Sequence, residues 1–400
     1  MAGHRRGSRV VALCLALCLA LLAGCGADPV PDSAAGEVRR LLERRAHAVL
    51  DGDEKAYERT ERPAPGAADL FGNVRGIPLA AWEYRLSRLE RSGSRATASA
   101  ELRYRVEGHD RAPLVAERTL SLERHGGRWY VTSERPAKKA GEQLWDQGRV
   151  RAVRGATSLV LGVGRSAREL RGYRALADRA VPAVRAAWPG KWPRKVVVLV
   201  PRTLKGMAGL LGAPASGYRG IAAVTTGEAG GSGRAPADRI IVNPEAYGVL
   251  GDFGKQVVLT HETAHVATRT QTSPATPLWL SEGFADWVGY RGTGRTAPQA
   301  APELRRAVRG GQLPDALPKD ADFGFGRDAG RLAASYEGAW LACRMIAERW
   351  GERKLTEFYR AVGGHEKRAG AVRDALHDVL DTTPEEFTAR WRMYLHSELG

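Results

Sequence analysis

Cysteine is scarce in this chain of 400 residues, which has four. Cys14 and Cys18 lie near the start, so a disulfide scaffold is excluded. Long hydrophobic runs are also missing: the longest, Val10–Gly24, covers 15 residues at the N-terminus, against the ~20 needed to span a bilayer. There is no internal repeat, and no aromatic–basic motif of the kind that reads nucleic acid, so no nucleic-acid partner is expected. Hydrophobic residues at 43% and charged residues at 26% exclude bulk disorder and a multi-span membrane protein. The length allows roughly two or three domains with real cores. Acidic residues are outnumbered, 45 Asp and Glu against 61 Lys and Arg, giving a formal charge of +16. Such basicity favours contact with anionic lipids or envelope polymers, although an arginine-rich proteome would give the same number.

Arg5, Arg6 and Arg9 form a basic n-region and Val10–Leu22 the apolar h-region of an export signal, which makes residues 1–24 a signal peptide. Leu22-Ala23-Gly24-Cys25 resembles a bacterial lipobox. That resemblance implies cleavage before Cys25, a lipidated thiol there, and anchoring on the outer face of the cytoplasmic membrane. Two or more acyl chains anchor stably where a single chain does not. A soluble secreted protein with a chance cysteine is the alternative. Cys343 sits within an apolar helical pattern and reads as buried and inert.

Residues 25–36 read as a Pro/Ala/Gly tether. Glu37–Asp51 has apolar residues near helical spacing. From about Leu79 the period becomes two, with strands expected at Trp82–Leu86, Thr97–Val106, Val115–Leu122 and Trp129–Thr132, and a Gly126-Gly127 turn before the last. Residues 37–135 thus read as an α+β domain. The pattern from Val49-Leu50-Asp51-Gly52-Asp53 to Arg128-Trp129-Tyr130-Val131 resembles the NTF2-like cone, a cup for a ligand or partner, or a spacer. Residues 136–154 read as a charged linker. Beyond it, strands are expected at Ser158–Val163, Lys195–Val200, Gly220–Thr226 and Arg239–Asn243, and helices at Ala167–Ala187 and Leu204–Leu211. Gly227–Ala237 reads as a loop. From Lys255 on, everything except Gly310–Asp328 has a helical pattern. Strands followed by helices make residues 155–400 a second α+β domain, with a mixed sheet and a helical subdomain.

His261-Glu262-Thr263-Ala264-His265 is an H-E-x-x-H motif in a helical window. Histidines four apart share one helix face, so both imidazoles can reach one metal ion. Glu262, about 100° round the helix, can approach a water there without being a ligand. Downstream comes Leu278-Trp279-Leu280-Ser281-Glu282-Gly283-Phe284-Ala285-Asp286-Trp287, after Thr276 as N-cap and Pro277 as first helical residue. Glu282 and Asp286 fall one turn apart. His, His and Glu form a recurring zinc set with an open fourth position, and Asp286 can orient a ligand histidine. Carboxylates among Trp279, Phe284 and Trp287 are costly unless paired or metal-bound.

These residues resemble the gluzincin (MA clan) zinc metallopeptidases, within them the peptidase MA-like group. The resemblance is specific over His261–Trp287 and covers the layout from Ser158 to Leu399. It implies one zinc per chain on His261, His265 and Glu282, with Glu262 as general base, Asp286 orienting a histidine and a peptide or protein as substrate. It also implies that Tyr336 donates to the oxyanion and that Gly220–Thr226 forms the cleft edge. Sixteen residues separate His265 from Glu282, fewer than the 18 or 19 common in the family, and a tight Ser273–Pro277 connection would absorb the difference. No G-x-M-E-N amine-binding motif occurs upstream, which favours an endopeptidase. Two other readings stay open: a lipid-anchored scaffold whose peptidase domain is a relic, and a zinc hydrolase acting on cell-wall crosslinks.

Overall fold

The computed structural model describes residues 33–226, 237–324 and 328–400. The signal peptide, Cys25 and nearly all of the Gly227–Ala237 loop lie outside the described residues. No described helix is long and apolar enough to cross a membrane.

The described residues begin with α1 (Ser33–Asp51), α2 (Glu54–Glu58) and α3 (Leu70–Val74). An antiparallel meander follows: β1 (Leu79–Ser92), β2 (Arg95–Val106), β3 (Leu114–His125) and β4 (Arg128–Pro136). In β2 every second residue from Ala96 to Val106 is buried, the alternation of a sheet with one covered face. Val38, Leu41, Leu42, Ala46 and Val49 of α1 cover that face. The helix already includes Ser33, the first described residue, four positions before the expected Glu37, and Ala34 is buried in it. A buried polar network lies within this largely apolar core. The Tyr84 hydroxyl donates to Glu134 at 2.9 Å, Arg45 donates to Glu61 at 2.9 Å, and Arg118 pairs with both Glu134 and Asp146. This interior is occupied by the protein's own side chains.

The expected linker, residues 136–154, instead contributes Leu144, Trp145 and Val150 to the core. Leu144 and Trp145 are buried in a short 3₁₀ turn, Leu144–Gln147, and Asp146 accepts both terminal nitrogens of Arg118 at 2.9 and 2.8 Å. Val150–Arg154 forms β5. The segment reads as solvated because the guanidinium that neutralises Asp146 lies 28 residues away.

The second sheet comprises β5, β6 (Ser158–Val163), β7 (Val196–Val200), β8 (Ala223–Thr225) and β9 (Ile240–Val242), in the order β5-β6-β7-β9-β8. β6, β7 and β9 run parallel, with α4 (Ala167–Ala187) connecting β6 to β7 and α5 (Leu204–Leu211) following β7. β6 and β7 are buried along their whole length, as continuous apolar runs demand. β8 is an edge strand, antiparallel to β9. Trp82, Tyr104 and Trp145 pack into one core with Leu161, Leu199 and Ile241, so the two sheets are fused. A buried ion pair crosses the junction: Arg239 donates to both oxygens of Asp110, at 2.8 and 2.7 Å.

The remainder is helical: α6 (Pro244–Gly248), α7 (Asp252–Thr268), α8 (Leu278–Tyr290), α9 (Ala297–Ala300), α10 (Pro302–Arg309), α11 (Ala329–Trp350), α12 (Glu352–Gly363), α13 (Ala371–Leu380) and α14 (Pro384–Leu399). The molecule is therefore α+β, an antiparallel sheet joined to a mixed sheet with a helical C-terminal region. α8 is buried almost all round, which marks a central helix. It packs against α7 on one side and α11 on the other. Trp188, Phe284 and Tyr359 cluster beneath it with ring centroids 5.1–5.4 Å apart.

Glu337 of α11 accepts from the Leu304 and Glu303 amides at the start of α10. Burial pushes its carboxyl up from 4.5 to about 7, helped by Glu303 and Asp286 and opposed by those two amides. The folded state therefore holds this proton more tightly than the unfolded chain. The stabilisation is complete below pH 4.5 and lost as pH rises through about 7. Glu337→Gln is expected to remove about 1–2 kcal/mol of this pH dependence, read from denaturation midpoints of variant and wild type at acidic and alkaline pH.

Candidate metal centre

The two helices that meet at the centre hold their registers for separate reasons. α7 buries Val257, Leu259, Ala264, Val266 and Ala267, which turns the His261–His265 edge towards α8. After α7 a 3₁₀ turn, Arg269–Gln271, leads into a tight connection. There Thr276 N donates to Ser273 O at 2.9 Å, and Ala275 N to Ser273 Oγ at 3.1 Å. This turn brings α8 back within sixteen residues. α8 begins at Leu278, one residue later than expected, with Pro277 rather than Thr276 in the N-cap position. Thr276 Oγ1 accepts from Ser273 N in the turn, and Asp320 supplies the missing cap by accepting from Leu278 N at 2.9 Å.

Glycine sets how closely α8 approaches both neighbours. A Cβ on Gly283 would lie 2.3 Å from the Ala339 carbonyl oxygen of α11, and one on Gly289 would lie 3.2 Å from Val257 of α7. That close approach places Glu282 beside the histidines.

Three donor atoms converge. His261 Nε2 and His265 Nε2 are 2.9 Å apart, and Glu282 Oε2 lies 3.3 Å from the first and 3.5 Å from the second. His261 Nδ1 is 2.8 Å from Asp286 Oδ1. A carboxylate accepts only, so Nδ1–H donates to Asp286, which leaves the neutral ring with a lone pair on Nε2. Lone pairs on two imidazole nitrogens and a carboxylate oxygen then face one another, an arrangement that repels itself unless a cation sits between them. A point roughly 2 Å from all three atoms exists, the usual Zn–N and Zn–O distance. His261, His265 and Glu282 are also the one group among the described residues with suitable spacing for a metal.

Without a metal ion, the same cluster holds a proton instead. Burial alone would lower the His261 pKa, but Asp286 and Glu282 outweigh it and raise it from 6.5 to about 10. Burial acts to raise the Glu282 pKa, yet the neighbouring histidines hold it far below the usual carboxylate range. A site that grips a proton this tightly is one that attracts a cation.

The centre opens into a cleft of about 570 Å³. His261, Glu262, Asp286 and Tyr336 line it, with Ala222 and Ala223 of the β8 segment opposite. Tyr336 packs edge-on against Phe323, with centroids 5.1 Å apart. One participant has no signal in the sequence: Thr225 of β8, whose Oγ1 donates to Glu262 Oε2 at 2.7 Å. Cys343 is fully buried, and burial pushes its thiol well up, as an inert residue requires. A larger open depression of about 860 Å³ lies between α1 and the β3–β4 turn, lined by Arg40, Arg44, Arg59 and Arg128. It contains no set of metal ligands.

The chain matches no protein-family model and no curated protein. Among solved structures it is similar to native yeast LTA4 hydrolase, at 11% identity and a TM-score of 0.37, over 70% of this chain and 44% of that one. It is also similar to a variant M1 zinc metallopeptidase from Deinococcus radiodurans bound to a Tyr-Ser-Ala substrate, at 13% identity and 0.33, over 76% and 62%. A two-domain M1 zinc metallopeptidase variant bound to L-tryptophan matches at 14% identity and 0.33, over 75% and 61%. The chain spans less than two thirds of the length of each. The functional reading rests on the chain's own side chains.

Asp286→Ala is expected to weaken zinc binding about 10–100-fold, measured by competition with a chromophoric chelator. Gly283→Ala should lower stability by about 1–3 kcal/mol, because the added methyl forces α8 and α11 apart, read from urea midpoints.

Proposed function

We propose that this protein is a zinc metallopeptidase that hydrolyses peptide bonds, with Glu262 as general base. We further propose that it is exported and tethered to the outer face of the bacterial cytoplasmic membrane through lipidated Cys25. The observation that carries the enzymatic reading is the convergence of His261, His265 and Glu282, with Glu262 in the same cleft. Zinc held by those three side chains would supply Lewis-acid polarisation of a carbonyl and lower the pKa of water at the site.

The chain's own groups do the rest. Glu262 takes a proton from the attacking water and delivers it to the leaving nitrogen, a role worth ~10²–10⁴ in rate. Asp286 keeps His261 in the tautomer that presents Nε2. Tyr336 supplies a phenol that can donate to the developing oxyanion.

The substrate has a docking edge. Thr226 N donates to Arg239 O, and Asn243 N to Ala222 O. With Val224 opposite Ile241, alternation turns the amides of Ala223 and Thr225 away from β9. Thr225 is fully buried, so an extended peptide can pair only at the Ala223 part of this edge, which lines the cleft. The carboxylates lining the cleft are Glu262 and Asp286, engaged by Thr225 and His261.

Glu262→Gln should retain about one zinc per chain and lose hydrolysis by at least ~10²-fold. The assay is cleavage of a broad peptide library, abolished by a chelator and restored by zinc. Full activity in Glu262→Gln, or a wild type that retains no zinc after dialysis, would refute the reading.

A further inference from the structure

Glu262 sits on α7, but its carboxylate is held by a different element. Thr225, the last residue of β8, is fully buried. Its Oγ1 is 2.7 Å from Glu262 Oε2 and 3.1 Å from the Glu262 carbonyl oxygen. A hydroxyl has one hydrogen, and the shorter contact, to a charged acceptor, is the stronger bond. We propose that Thr225 is a positioning residue that fixes the rotamer of Glu262 for proton transfer. The inference deepens the peptidase reading and rests on Glu262 acting as the base.

Thr225 is itself well anchored. β8 is only three residues long, and a strand that short needs support beyond one ladder. Its neighbour Thr226 supplies some: Thr226 N donates to Arg239 O at 2.8 Å, and Thr226 Oγ1 accepts from Arg239 N at 2.9 Å. Arg269, immediately after α7, donates to Thr226 O and, at 2.7 Å, to Asp238. The helix carrying Glu262 is thereby tied to the strand carrying Thr225. Arg239 is in turn gripped by Asp110, from the β2–β3 connection of the N-terminal sheet. Contacts thus run unbroken from Asp110 through Arg239, Thr226 and Thr225 to Glu262. On this reading the N-terminal half is part of the scaffold that aims the base.

A glutamate side chain has three rotatable torsions, and a misplacement of about 1 Å at a reacting group can lower turnover ~10²-fold. Thr225→Val keeps the shape and removes the donor, and Thr225→Ser keeps the donor. The test uses the full zinc-loaded chain and measures kcat, KM, zinc content and the crystal structure of each variant. Thr225→Val should lower kcat about 10–100-fold while KM and zinc content stay within about twofold. Thr225→Ser should restore most of the loss, and Glu262 should leave its place in the Val variant. The proposal is overturned by an unchanged kcat in Thr225→Val, by a Ser variant as impaired as Val, or by a loss of kcat that tracks loss of zinc. A wild type that binds zinc but cleaves nothing would instead sink the peptidase reading. The position of Glu262 in the Thr225→Val crystal structure decides the contact in that case too.

Discussion

Three electron pairs pointing at one spot in a water-poor interior is the constraint on which the rest of this structure depends. Left without a cation, His261, His265 and Glu282 would repel one another, and burying them would cost several kcal/mol of lost hydration. The fold holds them together because α8 has nowhere else to go. Trp279, Leu280, Phe284, Trp287 and Val288 are all buried, and separating α8 from α7 would expose them. Apolar packing thus holds an ionic arrangement that would not form unaided. A metal ion would in turn relieve the strain that the packing imposes.

That division of labour explains the placement of small residues. Gly283 admits no Cβ without displacing α11, and a Cβ on Gly289 would press on Val257 at 3.2 Å, so backbone contact sets the α8–α11 spacing and close packing the α7–α8 one. Asp320 caps α8 from a distant turn, which fixes the axial position of Glu282 as the glycines fix its lateral one. Positions determined in two directions by rigid contacts suit a site that must match ion-to-ligand distances to within a few tenths of an ångström.

The sheets contribute the other half of the cleft. β8 lies at an edge, and its partner β9 is bound to the N-terminal part through the buried Asp110–Arg239 pair. The wall on which an extended chain could pair is therefore braced by residues more than a hundred positions upstream. The shared core of Trp82, Tyr104 and Trp145 with Leu161 and Ile241 shows the same fusion. A polar network around Arg45, Arg118 and Glu134 lies within the N-terminal core.

Much of this was legible in order along the chain. The i, i+4 spacing of His261 and His265 and the one-turn spacing of Glu282 and Asp286 are local facts, because helical geometry alone decides which side chains share a face. The alternation of β2 and the continuous apolar runs of β6 and β7 are local for the same reason. The 136–154 segment was misread as a linker because Asp146 finds its counterion on β3 and Trp145 its aromatic partners on β1 and β2. Thr225 was invisible because a threonine in a short strand carries no mark of the carboxylate it will meet. The sequence by itself determined which chemistry the residues could perform and which helices would carry it, since ligand type and helical period are written residue by residue. Only the tertiary structure decided that the three donors meet, that Asp286 accepts from His261, and that Thr225, on a strand braced from the N-terminal sheet, meets Glu262. Those relations join elements far apart in the chain, and packing alone brings them within hydrogen-bonding distance.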